Sequence, residues 1–181
     1  MPADLKDSIV KAVAAATNEV FSTMLVMEAT PGEAYCEKVP QVSDGVVAFI
    51  GLAGKWTGTG MISCSPALAC RLASQFLMTD YQPGSEAVNE EVLDAVAELA
   101  NIIIGNAKNL LEEELGPMGM SIPTVIFGRN FTARSACQGE WVVTPFQCEA
   151  ERLEVRMHLA PARDPMPLRH GYQPPECVEL R

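Results

Sequence analysis

The chain has 181 residues, 48% of them hydrophobic and 20% charged, which suits one domain with a sizeable core and leaves little room for a second. A net charge of −10 argues against nucleic acid or an anionic membrane surface as partner, because both need clustered Lys and Arg. No stretch approaches the ~18 consecutive apolar residues of a membrane span. The start, Met1-Pro2-Ala3-Asp4-Leu5-Lys6-Asp7, has neither the basic nor the apolar region of a signal peptide, so a soluble cytoplasmic protein is expected.

Leu5, Ile9, Val13, Ala16, Val20 and Met24 recur at steps of three and four, predicting an amphipathic helix from about Asp4 to Met27 that Pro31-Gly32 stops. Ala34 to Val39 is a short strand candidate, and Gly45 to Leu52 with Thr57 to Cys64 reads as a hairpin around Gly54-Lys55. Ser65-Pro66 supplies an N-cap and a first-turn proline for a helix reaching roughly Met78. After the loop Tyr81-Gln82-Pro83-Gly84, a long helix is expected with Ser85 as its cap and Gly116-Pro117 as its stop. Ile122 to Phe127, Trp141 to Gln147 and the alternating Arg152 to Leu159 complete the strands. Hairpin-linked strands imply an antiparallel sheet, and three apolar helical stripes need one of its faces, so the expected fold is a two-layer α/β (α+β) sandwich with long amphipathic helices on one face. Five prolines between Pro161 and Pro175 separate a domain of residues 1–160 from an irregular tail, 161–181.

Chemistry concentrates on the long helix. Glu91, Asp94, Glu98, Asn101, Gly105, Lys108 and Glu112 follow one another at steps of three and four, tracing one polar stripe, while Val92, Leu93, Val96, Leu99, Ile103 and Leu110 occupy the rest. Glu98 and Asn101, one turn apart, project a carboxylate and a carboxamide side by side. Asn is a poor residue for a helix middle, and Ile102-Ile103-Ile104 beside it makes its placement stranger. From the residues alone, the stripe is either a site or the solvated face of an amphipathic helix.

Other signals fail on spacing. The Gly-rich run from Gly51 to Gly60 has Phe49 where a phosphate loop needs Gly, Trp56 where it needs Ser or Thr, and a strand where it needs a helix. Asp44 and Ser135 have no His placed to suggest a Ser-His-Asp hydrolase. Cys36, Cys64, Cys70, Cys137, Cys148 and Cys177 show no CxxC spacing and read as reduced, mostly buried thiols. His158 and His170 lack a suitably spaced second ligand, so no metal site is expected.

The segment Asp94-Ala95-Val96-Ala97-Glu98-Leu99-Ala100-Asn101, with the Gly105-Asn106-Ala107-Lys108 run that follows, resembles the signature helix of the CheC/CheX/FliY phosphatases of bacterial chemotaxis. One Glu-x-x-Asn site and the Gly-Asn-x-Lys run look most like the CheX branch, since CheC members usually carry two sites. The resemblance runs from about Leu5 to Leu159 and leaves out the tail.

The resemblance implies a phosphatase acting on the aspartyl phosphate of a phosphorylated CheY-type receiver domain. Asn101 would position the attacking water and Glu98 would engage the receiver's lysine, making these the catalytic pair. Asp94 is a docking candidate or a solvated helix acid. Gly105 lets a partner or a facing strand approach closely. No cofactor is expected on this chain, with Mg²⁺ coming from the receiver, and a homodimer is expected. The alternative is a receiver-binding module without turnover, sequestering a phosphorylated regulator or coupling it to the flagellar switch.

Overall fold

Apolar residues at helical spacing in three segments and at alternate positions in four strands leave each element with one greasy side, and the fold brings those sides together. A computed structural model of the chain describes residues 3–38, 44–129, 131 and 139–162. Cys137, Cys177, His170, Ser135, the Val39 end of the expected first strand and the tail from residue 163 lie outside the described residues.

Helix α1 spans Ala3–Val20 and buries Leu5, Ile9, Val13, Ala16 and Val20, the predicted stripe. Its last turn departs from expectation. Phe21–Leu25 is a π turn, ended by Val26 in the left-handed region (φ 50°) with its N–H on the Phe21 carbonyl. A wider turn inserts one residue into the helical count. Leu25 therefore reaches the core fully buried, while Met24, the predicted member, is 40% exposed.

Helix α2 (Pro66–Leu77) starts as predicted, with the Leu68 N–H donating to Ser65 Oγ at 3.1 Å, and ends at Met78. Helix α3 (Glu90–Leu115) is capped by Asn89, whose Oδ1 accepts from the Val92 N–H at 3.0 Å, and not by Ser85. A cap must sit extended immediately before the first helical residue. Asn89 does so, whereas Ser85 opens a separate 3-10 turn, Ser85–Ala87. Gly116, at φ 83°, closes α3 through its N–H on the Glu112 carbonyl.

The strands are β1 (Thr30–Pro31), β2 (Tyr35–Glu37), β3 (Asp44–Gly54), β4 (Trp56–Cys64), β5 (Met118–Met120), β6 (Thr124–Arg129), β7 (Trp141–Cys148) and β8 (Glu151–Pro161). They form one sheet in the order β1-β7-β8-β4-β3-β5, with β2 also on β7 and β6 also on β3. Every pairing is antiparallel. The Gly-rich run is the β3–β4 hairpin, turning at Lys55. β1 and β5 are two and three residues long, too short for alternation to reveal them. β8 runs past Leu159 to Pro161, which pairs with Trp56.

Alternation sorts the sheet faces. Val46, Ala48, Ile50, Ile62, Leu153, Val155 and Met157 join the helices in the main core. The opposite face holds a small cluster of Val47, Met61 and Trp141 beside a charged network. There the buried Arg156 donates to Glu37 Oε1 at 2.8 Å, to Ser63 Oγ at 2.6 Å and to Glu154. His158 is also buried, with Nδ1 3.0 Å from the Glu140 carbonyl, which can only accept, so Nδ1 carries the proton. Among the described cysteines, Cys64, Cys70 and Cys148 are buried thiols and Cys36 is exposed. Burial pushes the Cys64 thiol up to about 12 and the Cys148 thiol up to about 11, so both stay protonated and unreactive at neutral pH. No described helix is long and apolar enough to cross a membrane.

The seat of α3 on the sheet depends on Gly60. A Cβ added there would lie 2.6 Å from Ile104 Cγ2. The helix therefore rests with a branched side chain against bare backbone. Of the three isoleucines, Ile103 and Ile104 are buried and Ile102 is half-exposed, and it is Ile104 that meets Gly60. Gly60→Val should cost about 1–3 kcal/mol by overpacking. An unchanged urea midpoint in that variant would show that α3 does not need the close approach.

Candidate functional site

The exposed side of α3 carries the predicted stripe. Asp94 and Glu98 are exposed, and Asn101 and Gly105 are half-buried. The gradation follows from helix geometry. At about 100° per residue, Asn101 lies about 60° around the axis from Ile104 and Glu98 about 120°. Ile104 faces the sheet, so Asn101 sits at the shoulder and Glu98 stands in solvent. Among the described residues, no side-chain hydrogen bond or ion pair engages Asp94, Glu98 or Asn101.

The ends of the stripe are tied down. Near the N-terminus of α3 the Tyr81 hydroxyl donates to Glu91 Oε2 at 2.7 Å. Near its C-terminus Lys108 Nζ meets Glu112 Oε1 at 2.6 Å, and the same oxygen accepts from the Met118 N–H at 2.6 Å. Glu112 thus ties α3 to β5, and Lys108 is a structural contact that holds Glu112 in place. The candidate site lies between these ties.

Asn101 opens into a cleft of about 470 Å³ between α3 and residues 120–123. Its walls include Gly105, Asn106 and Asn109 on the helix and Met120, Ser121 and Ile122 opposite. Glu98 and Asp94 lie on the stripe outside it. Gly105 faces Met120, and a Cβ there would meet Met120 Sδ at 3.5 Å, ordinary van der Waals contact. Alanine would fit at that position within the isolated chain.

The outer wall of the cleft was missed in the sequence, which placed Ile122 at the start of a strand. Instead β6 begins at Thr124, and residues 121–123 interrupt the pairing of β5 and β6 with β3. Pro123 has no N–H to give a ladder, which breaks the strand. Ser121 replaces the lost bonds: its Oγ accepts from the Gly51 N–H at 2.9 Å, and its own N–H donates to the Gly51 carbonyl at 2.9 Å. The Ser-Ile-Pro sequence was the available signal.

A larger cleft, about 650 Å³, lies on the far side of the sheet near Asp44, Ser63, Arg129 and Arg156. Arg156 there is bonded to Ser63, Glu37 and Glu154. Among the described residues no three His, Cys, Asp or Glu side chains gather as a metal site.

A family model described as chemotaxis phosphatase CheX matches residues 46–147, a span that takes in most of β3 and the whole of β4, α2 and α3. The chain belongs to the CheX family. Its fold is that of solved CheC- and CheX-like proteins. The CheC-like protein of Shewanella sp. PV-4 is 25% identical, with TM-score 0.74 over 88% of this chain and 99% of that one. The chemotaxis protein CheX of Vibrio vulnificus is 26% identical, with TM-score 0.73 over 84% of this chain and 99% of that one. The CheX of Borrelia burgdorferi, solved as a complex with CheY, BeF₃ and Mg²⁺, is 23% identical with TM-score 0.66, over 84% of this chain and 96% of that one, a likeness of fold. No curated protein matches the sequence.

Glu112 yields a pH-dependent test of the CheX-family site's frame. The Lys108 hydrogen bond and then the Met118 amide hold its carboxyl below the usual carboxylate range. A value depressed in the folded state stabilises fully at neutral pH, and that contribution is lost as pH falls through the depressed value. The Met118 amide should therefore lose protection from hydrogen exchange, relative to its intrinsic rate, only below the ordinary carboxylate range. Glu112→Gln should flatten that dependence, and an unaltered profile in the variant would remove the clamp.

Proposed function

We propose that this chain hydrolyses the aspartyl phosphate of a CheY-type receiver domain and so tunes chemotaxis signalling from the cytoplasm. The observation that carries the reading is the pairing of an exposed Glu98 with a half-buried Asn101 at the mouth of a cleft, on α3 of a CheX-family chain. The CheX of Borrelia burgdorferi, which shares the fold, was solved bound to CheY, and that supports the same kind of partner here.

Hydrolysis of an acyl phosphate needs a water in line with phosphorus and neutralised phosphoryl oxygens more than it needs a covalent nucleophile. The water oxygen bonds to phosphorus as the bond from phosphorus to the aspartyl oxygen breaks. The receiver carboxylate and inorganic phosphate leave, and the water's proton ends on the phosphate. Asn101 supplies an uncharged carboxamide that accepts from this water without repelling the phosphoryl group. Glu98, one turn away in solvent, accepts an ion pair from the receiver's lysine and fixes register. The receiver brings the Mg²⁺ that offsets phosphoryl charge. Asp94, a turn further, extends the acidic docking surface.

Asn101→Ala should lower turnover by roughly two to four orders of magnitude with receiver binding less affected, because it removes a positioning group from a helix surface where Ala is well tolerated. Glu98→Ala should weaken binding as well. Phosphate loss from phosphorylated receivers decides it. Parent-like rates in Asn101→Ala would leave sequestration of the regulator, without turnover, as the better reading.

A homodimer is part of the proposal. The sheet ends on short strands, β1 and β2 at one side and β5 and β6 at the other, whose outer backbone groups suit pairing with a second copy. Sedimentation at micromolar concentration should give twice the 19.5 kDa chain mass, and a monomer alone would overturn this point.

A further inference from the structure

We infer that the break at residues 121–123 is an apolar anchor for the phosphorylated receiver, with Ile122 seated beside the receiver's phosphorylation site; the inference rests on the phosphatase reading of Glu98 and Asn101. Ile122 is 86% exposed, and a single exposed apolar side chain is ordinary on a protein surface. What distinguishes this one is that it is held still and held in place.

Rigidity comes from its neighbours. Ser121 is bonded to Gly51 in both directions, and Ser121 Oγ also donates to the Ile122 carbonyl at 2.8 Å. Pro123 then fixes the chain on the other side. The backbone of the loop is already pinned, so burying Ile122 against a partner costs less ordering than it would on a free loop. Position comes from the cleft, which Ile122 shares with Asn101. A receiver whose phosphoryl group meets Asn101 must therefore cover this loop.

Charge sets the direction of docking. The N-terminal half of α3 presents Glu90, Glu91, Asp94 and Glu98 to solvent. From Asn101 onward the cleft is lined by uncharged groups, with Lys108 the one charged residue among its described lining. A phosphoryl dianion is repelled by the acidic first half of α3, and again by Glu112, Glu113 and Glu114 at its end, and meets no carboxylate in the cleft between them. The receiver's cationic groups thus lie over Glu98 and Asp94, its phosphoryl group at Asn101, and the surface beside that group against Ile122.

The test uses the full chain with a panel of receiver domains, loaded with beryllofluoride and Mg²⁺ for binding and phosphorylated for turnover. Ile122→Asp should raise both Kd and KM about 10-fold or more with kcat within about twofold and the unfolding midpoint unchanged, while Ile122→Leu keeps parent affinity. Unchanged Kd and KM in Ile122→Asp, with Asn101→Ala still losing turnover, would overturn the anchor and leave the phosphatase reading standing. Weakened binding in Ile122→Asp alongside full turnover in Asn101→Ala would do the reverse. If Ile122→Asp instead converts a dimer to monomer in sedimentation, the loop joins copies of this chain and the anchor is overturned.

Discussion

The rotation of α3 about its own axis decides the rest of this structure, and the contact of Ile104 with the bare backbone of Gly60 sets it. A helix that packs a buried row against a sheet has no freedom over where its other residues point. Once Ile104 faces the strands, Asn101 is carried to the edge of the contact and Glu98 into solvent. Both placements are what the proposed chemistry requires, one group partly sheltered and the other open to a partner's charge. The core and the site are two faces of one packing decision.

The candidate site is also braced at both ends by hydrogen bonds. Tyr81 holds Glu91, and Glu112 ties Lys108 to the Met118 amide. These bonds restrain the helix on which two short side chains must be aimed, in keeping with the rule that such groups work best on rigid elements. Placement in a helix explains why an Asn, poor for helix propensity, is tolerated here: α3 has 26 residues and a fully packed inner face, so one unfavourable residue changes little.

The break between β5 and β6 is the second structural feature on which the site depends. A continuous strand along β3 would have carried Ile122 within the sheet plane and closed the space beside Asn101. Proline, which has no ladder donor, and serine, which supplies a substitute for the missing bonds, open that space without leaving the Gly51 groups unpaired. The result is a wall that is irregular in backbone yet firmly attached.

Periodicity in the sequence was sufficient for the layers, the long helices, the β3–β4 hairpin and the polar stripe with Glu98 and Asn101, because these follow from which side of an element is apolar. The Ser65-Pro66 start was equally legible, since a cap and a first-turn proline act locally. Tertiary structure decided the rest. The π turn that exchanges Met24 for Leu25 answers to the fit of α1 against the core, and Asn89 caps α3 because the preceding residues are used in a turn of their own. β1 and β5 exist only through their long partners, β7 and β3. The cleft beside Asn101 lies between α3 and residues 120–123, close in the chain, yet no spacing within either segment encodes how far a helix and a strand break stand apart once both are packed on the sheet.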